Sequence, residues 1–176
     1  FEHVESSSKR MNAIVDDLLN LAKYGKEKLK PVIIDMSELV NKVWYNLYFS
    51  FPHRAVLETT GLPAIEADAS MMQQVMVNLL SNAIKYSSKK ENPEIKVGFE
   101  VEEETITFFI KDNGAGFDMK HYNRLFGAFQ RLHGMSEFEG TGIGLLLVKQ
   151  IIERHAGTVW AESKPNEGAT FYFALP

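Results

Sequence analysis

The sequence predicts an α/β two-layer sandwich, in which helices pack on a mixed, mostly antiparallel sheet, preceded by a separate amphipathic helix. Two observations predict this fold. Apolar residues recur at helical spacing in some segments, and they alternate with polar residues, as in strands, in the segments between them. The chain has 176 residues, 45% of them hydrophobic, which is enough for one core of ordinary size.

The N-terminal segment predicts a helix that stands apart from the sandwich. Its less polar positions step along the chain by alternating fours and threes, as in a coiled coil: Val4, Ser8, Met11, Val15, Leu18 and Ala22. The alternative is a surface helix packed on its own domain. Because the pattern ends at Gly25 and a new strand-like run begins near Leu29, we assign residues 1–28 to this helix and residues 29–176 to the domain.

The remaining elements follow from periodicity and from turn residues. Helices are predicted over residues 37–49, 69–86 and 142–155. Strands are predicted over residues 30–35, 55–60, 94–101, 104–112, 158–162 and 169–175, with a short extended piece near 64–66. The stretch 113–140 contains several glycines and no regular pattern, and so long a loop in a compact domain is typical of a functional lid.

Composition excludes several kinds of site. The chain has no cysteine, which rules out disulfides, zinc–thiolate sites and thiol nucleophiles and fits the cytoplasm, the compartment we predict. The net charge of −4 gives no electrostatic reason to bind a polyanion, so no nucleic acid is expected as a partner. Because the first residue is Phe1 rather than Met, we expect a piece of a longer protein, and whether that parent is anchored in a membrane is open.

Three polar residues share one face of the predicted helix 69–86. Asn78, Asn82 and Lys85 are spaced i, i+4 and i+7 among apolar positions, and such a stripe usually lines a cleft. An asparagine oxygen suits magnesium, and an ammonium group one turn away can neutralise phosphates. The alternative is that both amides only satisfy the main chain of neighbouring loops.

Two glycine-containing segments could complete such a site. Period two in the strand 104–112 puts Asp112 on the buried face, where a carboxylate needs donors such as the exocyclic amine of adenine. Gly114 and Gly116 then let the main chain approach a flat ring closely, although an Asp-Asn-Gly turn by itself is common. The glycine loop, residues 140–144, directly precedes an apolar helix, whose N-terminal N–H groups can hold phosphate.

Five motifs in this order resemble the N, G1, F, G2 and G3 boxes of sensor histidine kinases, within the superfamily that includes gyrase and related chaperones. They occupy residues 78–86, 112–116, 126–131, 140–144 and 168–170. The resemblance implies a Bergerat-type ATP-binding fold. Residues 1–28 resemble the second helix of the dimerisation and phosphotransfer hairpin, of the phytochrome-linked kind.

The resemblance also implies a role for each motif residue. Asp112 would read adenine, with Thr170 nearby through water, and Asn82 would bind Mg²⁺. The adenine pocket would be shaped by Gly114 and Gly116, and the phosphate and ribose side would be lined by Asn78, Lys85 and Tyr86. The triphosphate would be wrapped by Gly140, Thr141, Gly142, Ile143, Gly144 and Leu145, and Arg131 would reach the γ-phosphate. The catalytic set would be Asn78, Lys85 and Arg131.

The implied activity is transfer of the γ-phosphoryl group of Mg-ATP to a histidine on a homodimeric hairpin, for relay to the receiver domain of a response regulator. An upstream sensor domain would control it. None of the five histidines of this chain is followed by the family's acceptor pattern, so we expect the acceptor elsewhere and no autophosphorylation by the chain alone.

Two other functions stay open at this point. ATP-driven conformational ATPases of the gyrase and chaperone branch carry a glutamate at the position of Asn78, and an amide cannot take the proton of the attacking water. We therefore predict slow hydrolysis, and a measurable steady-state ATPase rate would favour that branch. A non-catalytic module that has lost its nucleotide would bind no adenine nucleotide at all.

Overall fold

The computed structural model describes residues 2–130, 138 and 140–176, and for residues 2–6, 9 and 10 the main chain alone. The helices are α1 (Glu2–Lys26), α2 (Met36–Ser50), α3 (Ala69–Ser87) and α4 (Gly144–Arg154), with a short 3₁₀ helix over Met119–Arg124. The strands are β1 (Pro31–Asp35), β2 (Val56–Thr59), β3 (Ala64–Asp68), β4 (Glu94–Glu102), β5 (Thr105–Asp112), β6 (Thr158–Lys164) and β7 (Gly168–Leu175). Every predicted helix and strand is present, and the 3₁₀ helix is an addition inside the predicted lid.

The strands form the predicted mixed sheet. Its order is β2-β4-β5-β7-β6, in which β2 is parallel to β4 and the other neighbours are antiparallel. β1 and β3 form a separate antiparallel pair. Because α3 and α4 both pack on the large sheet, with α3 against β5 and α4 against β6, the prediction of a two-layer sandwich is confirmed.

The core lies between these helices and the large sheet. On β5, Phe108 and Asp112 are buried, whereas Phe109 and Lys111 lie on the other face and are more exposed, since successive strand residues point to opposite faces. Phe108 stacks on Phe173 of β7 with ring centroids 5.0 Å apart. The expectation that Asp112 shares the buried face is therefore confirmed.

α1 is attached to the domain at its C-terminal end. Tyr24 is buried in the core, and Arg154 of α4 donates hydrogen bonds to the main-chain oxygens of Tyr24 and Glu27. The boundary between residues 28 and 29 stays a prediction, because the last turns of α1 pack with the domain. In the part of the chain that the structure describes, no helix has both the length and the apolar character to cross a membrane.

Asp68 ties the start of the domain to α3. Its buried carboxylate accepts hydrogen bonds from the main-chain N–H groups of Lys30, Ser70 and Met71 and from the hydroxyl of Ser70. Burial alone would raise the pKa of Asp68, but these hydrogen bonds hold it below its ordinary value. The residue caps α3 and also fixes the segment that leads into β1.

We expect Asp68→Ala to lower the free energy of unfolding by about 2 kcal/mol, because three N–H donors lose their acceptor. The control is Asp35→Ala at the start of α2, where an exposed carboxylate accepts a hydrogen bond from the N–H of Glu38. That variant should lose about 0.5 to 1 kcal/mol. Urea denaturation compares the two, and equal losses would contradict the role given to Asp68.

Candidate functional site

The site is built around the carboxylate of Asp112, at the C-terminal end of β5. The side chain is 3% exposed and accepts a hydrogen bond from the N–H of Gly114 at 2.8 Å. Burial raises the pKa of Asp112 to about 6, although the N–H groups of Gly114 and Ala169 and the charge of Lys90 act in the opposite direction. A carboxylate has about four acceptor positions, so these two N–H groups leave room for a polar ligand.

The turn after β5 has no room for side chains. An added Cβ at Gly114 would lie 2.5 Å from the main-chain oxygen of Tyr86. At Gly116, where φ is +59°, it would overlap the main-chain oxygen of Lys164. The end of β5, the last turn of α3 and the β6–β7 turn therefore pack main chain against main chain, which glycine permits here.

The polar stripe on α3 lies between buried apolar positions, as predicted. Asn78, Asn82 and Lys85 are each half-buried. The Nζ of Lys85 donates to Oδ1 of Asn82 at 3.2 Å, while Nδ2 of Asn78 donates to the main-chain oxygen of Gln74 at 2.9 Å. Asn78 thus bonds to the main chain of its own helix rather than to a neighbouring loop, whereas Asn82 is bonded within the stripe.

The glycine loop lies against this stripe. An added Cβ at Gly144 would be 2.5 Å from Oδ1 of Asn78, and one at Gly140 would be 3.2 Å from Nζ of Lys85. α4 begins at Gly144, and Ile143 before it supplies no side-chain cap. The loop therefore presents main-chain atoms and uncapped helix N–H groups toward the amides and the ammonium of α3.

The other side chains of this segment hold the loop in place. Thr141 donates to a carboxylate oxygen of Asp17 in α1 at 2.5 Å and accepts the N–H of Ile143 at 3.3 Å. Ile143 is buried, and Leu145 packs against the core. Gly142 has a φ of +78°, a main-chain conformation that residues with a side chain rarely adopt. A ligand would consequently meet the main chain of the loop.

A cavity of about 590 Å³ opens beside the turn after β5. It is lined by residues from α3, the turn, the 3₁₀ helix and the end of the predicted lid, which include Tyr86, Lys89, Gly116, Phe117, His121 and Phe138. The ring of Phe138 packs edge-on against Tyr86 with centroids 5.0 Å apart. Phe138 was not among the predicted site residues, although an aromatic residue two positions before the glycine loop is a signal that could have indicated it.

Thr170, one residue of the predicted set, is not brought to the site. Thr170 pairs with Lys111, one position along from the pair of Ala169 and Asp112, so it lies on the sheet face opposite to Asp112. Arg131, expected to reach the γ-phosphate, lies outside the described residues, as do residues 132–137 and 139 of the predicted lid. Of the other predicted residues, Tyr86 and Gly116 line the cavity, Gly114 lies against Tyr86 and Asp112, and Asn78 and Lys85 lie against the glycine loop.

This fold and this cleft define a class of nucleotide-binding protein. The chain belongs to the family described as "Histidine kinase-, DNA gyrase B-, and HSP90-like ATPase", whose sequence profile matches residues 67–176. The match includes α3, the turn after β5, the glycine loop and β7.

The relatives of the chain include a phytochrome-like protein and a sensory kinase. The phytochrome-like protein Cph1 of Synechocystis sp. is 40% identical over 167 residues, which cover 94% of this chain and 22% of that protein. The adaptive-response sensory kinase SasA of Thermosynechococcus vestitus is 31% identical over 182 residues, which cover 100% of this chain and 48% of that protein. The chain therefore spans less than half the length of either relative.

Solved structures share the fold. Full-length ShkA, solved in complex with AMPPNP, superposes with a TM-score of 0.79 at 22% identity, over 99% of this chain and 37% of that one. The catalytic domain of the histidine kinase ThkA gives a TM-score of 0.68 at 26% identity, over 84% of this chain and 95% of that one. The helix α1 is thus included in the first of these superpositions.

Proposed function

We propose that this chain is the ATP-binding catalytic part of a sensor histidine kinase. It would transfer the γ-phosphoryl group of ATP to an imidazole nitrogen of a histidine outside the chain and release ADP. The observation that carries the proposal is the buried carboxylate of Asp112 beside a turn of glycines that packs on the last turn of α3, where amides and an ammonium lie against the glycine loop and a helix N-terminus. The kinase names of the relatives support it.

Asp112 would select adenine. Its carboxylate can accept a hydrogen bond from the exocyclic amine of that base, and guanine carries an acceptor oxygen at the same ring position. The turn at Gly114 and Gly116 keeps side chains away, so a flat base can approach the main chain. The pocket should therefore prefer ATP to GTP.

The phosphates and Mg²⁺ would lie at the other end of the cleft. Oδ1 of Asn82 is a hard ligand for magnesium, and the Lys85 ammonium now bonded to it can turn to the phosphates. No group of three His, Cys, Asp or Glu side chains that could hold a metal occurs among the described residues, so Mg²⁺ would take its other ligands from water and phosphate. Catalysis would then depend on positioning and charge neutralisation, with Arg131 supplying a further cation.

The partners in this proposal are a second copy of the parent protein, an upstream sensor domain and the receiver domain of a response regulator. On α1, Met11, Val15 and Leu18 are 64%, 49% and 42% exposed at the spacing of a coiled-coil stripe, which suits pairing with a second copy. The histidine kinase ThkA has been solved in complex with a response regulator protein. ATP as the substrate places this part of the kinase in the cytoplasm.

Calorimetric titration with ATP and GTP, with and without Mg²⁺, tests the proposal. The wild type should bind ATP more tightly than GTP, and Asp112→Asn should lose at least about tenfold in ATP affinity, or roughly 1.4 kcal/mol. The control is Asp16→Asn, which makes the same charge change on the exposed side of α1. Its ATP affinity should stay within about twofold of the wild type.

Two outcomes would count against the proposal. Absence of binding of any adenine nucleotide would mean that the cleft is not a nucleotide site. Tight binding with rapid steady-state hydrolysis would favour a conformational ATPase instead. Hydrolysis should be slow in the proposed kinase, because the amide of Asn78 cannot activate water.

With γ-labelled ATP, we expect no label on this chain itself, since none of its five histidines has the acceptor pattern.

A further inference from the structure

Phe138 is buried against the candidate site and not in the core. Its side chain is 6% exposed. Among the described residues, the buried side chains that form the core of the domain do not include Phe138. It packs instead edge-on against Tyr86, with centroids 5.0 Å apart, and Nζ of Lys89 lies 4.6 Å from the centre of its ring. An aromatic side chain held in this way is tied to the last turn of α3.

The same turn of α3 carries Lys85, whose contacts lead back to the glycine loop. Nζ of Lys85 lies 4.3 Å from the centre of the Tyr86 ring and 3.2 Å from Oδ1 of Asn82. On its other side is Gly140, where an added Cβ would be only 3.2 Å from Nζ. Phe138 is therefore a neighbour of Tyr86, and Gly140 is a neighbour of Lys85, the preceding residue of α3.

The chain between Phe138 and Gly140 is too short for the two to move independently. Two residues span at most about 7 Å even when fully extended. Once the Phe138 ring is fixed on Tyr86, the start of the glycine loop must lie close to Lys85.

We propose that Phe138 is a positioning residue that holds the start of the glycine loop against Lys85, so that the phosphate side of the cleft is assembled before nucleotide binds. This inference rests on the proposed function, because it assigns Phe138 to the phosphates of the same ATP site. Phe138 acts through Tyr86 and Gly140 and does not itself touch the phosphates.

The experiment compares ATP and AMP as ligands, because AMP lacks the β- and γ-phosphates that the loop would hold. Phe138→Ala should lose at least about tenfold in affinity for Mg-ATP and less than about twofold for AMP, by calorimetry. Phe138→Leu keeps the buried apolar bulk and should lose about threefold for ATP alone. The control is Phe49→Ala, the same truncation at a side chain that is 76% exposed on α2, and it should change neither affinity.

Each outcome separates the inference from the function on which it rests. Equal losses of ATP and AMP affinity in Phe138→Leu and Phe138→Ala would overturn the inference, because Phe138 would then act on the base pocket or on folding. Unchanged ATP affinity in both variants would overturn it as well, while leaving the proposed function intact. A wild type that binds neither ligand would overturn the proposed function itself.

Discussion

Gly168→Ala is expected to abolish measurable ATP binding and to lower the free energy of unfolding by about 4 kcal/mol. Gly168 has a φ of +102°, and an added Cβ would overlap the main-chain oxygen of Asp112 and lie 2.9 Å from Cα of Asn113. A methyl group there must separate β7 from β5 at the pair formed by Ala169 and Asp112. The carboxylate at the centre of the site would move with it, so stability and binding are lost together.

The matched control is Gly61→Ala, because nothing lies within 4 Å of a Cβ added at Gly61. That variant should change the free energy of unfolding by less than about 1 kcal/mol and leave ATP affinity unchanged. Urea denaturation and calorimetry on both variants make the comparison. If Gly168→Ala kept the ATP affinity of the wild type, the close packing of the two strands behind Asp112 would not be what forms the pocket.

The Asp112 carboxyl is expected to make the fold less stable as the pH rises. Burial raises its pKa from the ordinary 3.8 to about 6. Between about pH 4 and pH 6 the folded state holds a proton at Asp112 that the unfolded state has released, so the contribution of Asp112 to the free energy of unfolding is largest below about pH 4 and is lost as the pH rises to about 6. A shift of about two units corresponds to about 3 kcal/mol.

Asp112→Asn isolates this effect, because the variant cannot titrate at position 112 while every other group, including Asp68, is unchanged. We expect the free energy of unfolding of the variant, relative to that of the wild type, to rise by about 2.5 kcal/mol between pH 4 and pH 8. Urea denaturation across this range measures the difference. If the difference in free energy of unfolding did not change with pH, the pKa of Asp112 would be the same in the folded and the unfolded state. If the variant gains stability in this way and also binds ATP more weakly than the wild type, the Asp112 carboxylate serves ligand binding and destabilises the fold.

Periodicity was sufficient for most of the fold. Strand alternation placed Asp112 on the buried face of β5, and the apolar stripe of α3 left Asn78, Asn82 and Lys85 on its cleft side. The same method underestimated β3, predicted as a short piece near 64–66. β3 extends to Asp68 because it pairs with β1 over five residues, and such pairing between distant segments leaves no mark on local pattern.

The site was predicted less completely, since it depends on tertiary register. Thr170 is in a recognisable motif, but only the pairing of β5 with β7 shows that it lies on the face away from Asp112. Phe138 has no periodic neighbours that predict its burial, because its partner Tyr86 is more than 50 residues away in sequence. The bond from Thr141 to Asp17 joins the glycine loop to α1, which no local pattern indicates.

α1 is attached near both ends of α4. Asp17 is bonded to Thr141 just before α4 begins, and Arg154 in its last turn is bonded to the main chain at Tyr24 and Glu27. α4, which lies between these attachments, rises about 15 Å along its axis and is stiff, so the distance between the two attachments is fixed. A twist of α1 about its own axis must break one attachment or turn α4 with it. A force that twists α1 would thus reach the glycine loop without passing through a flexible connection.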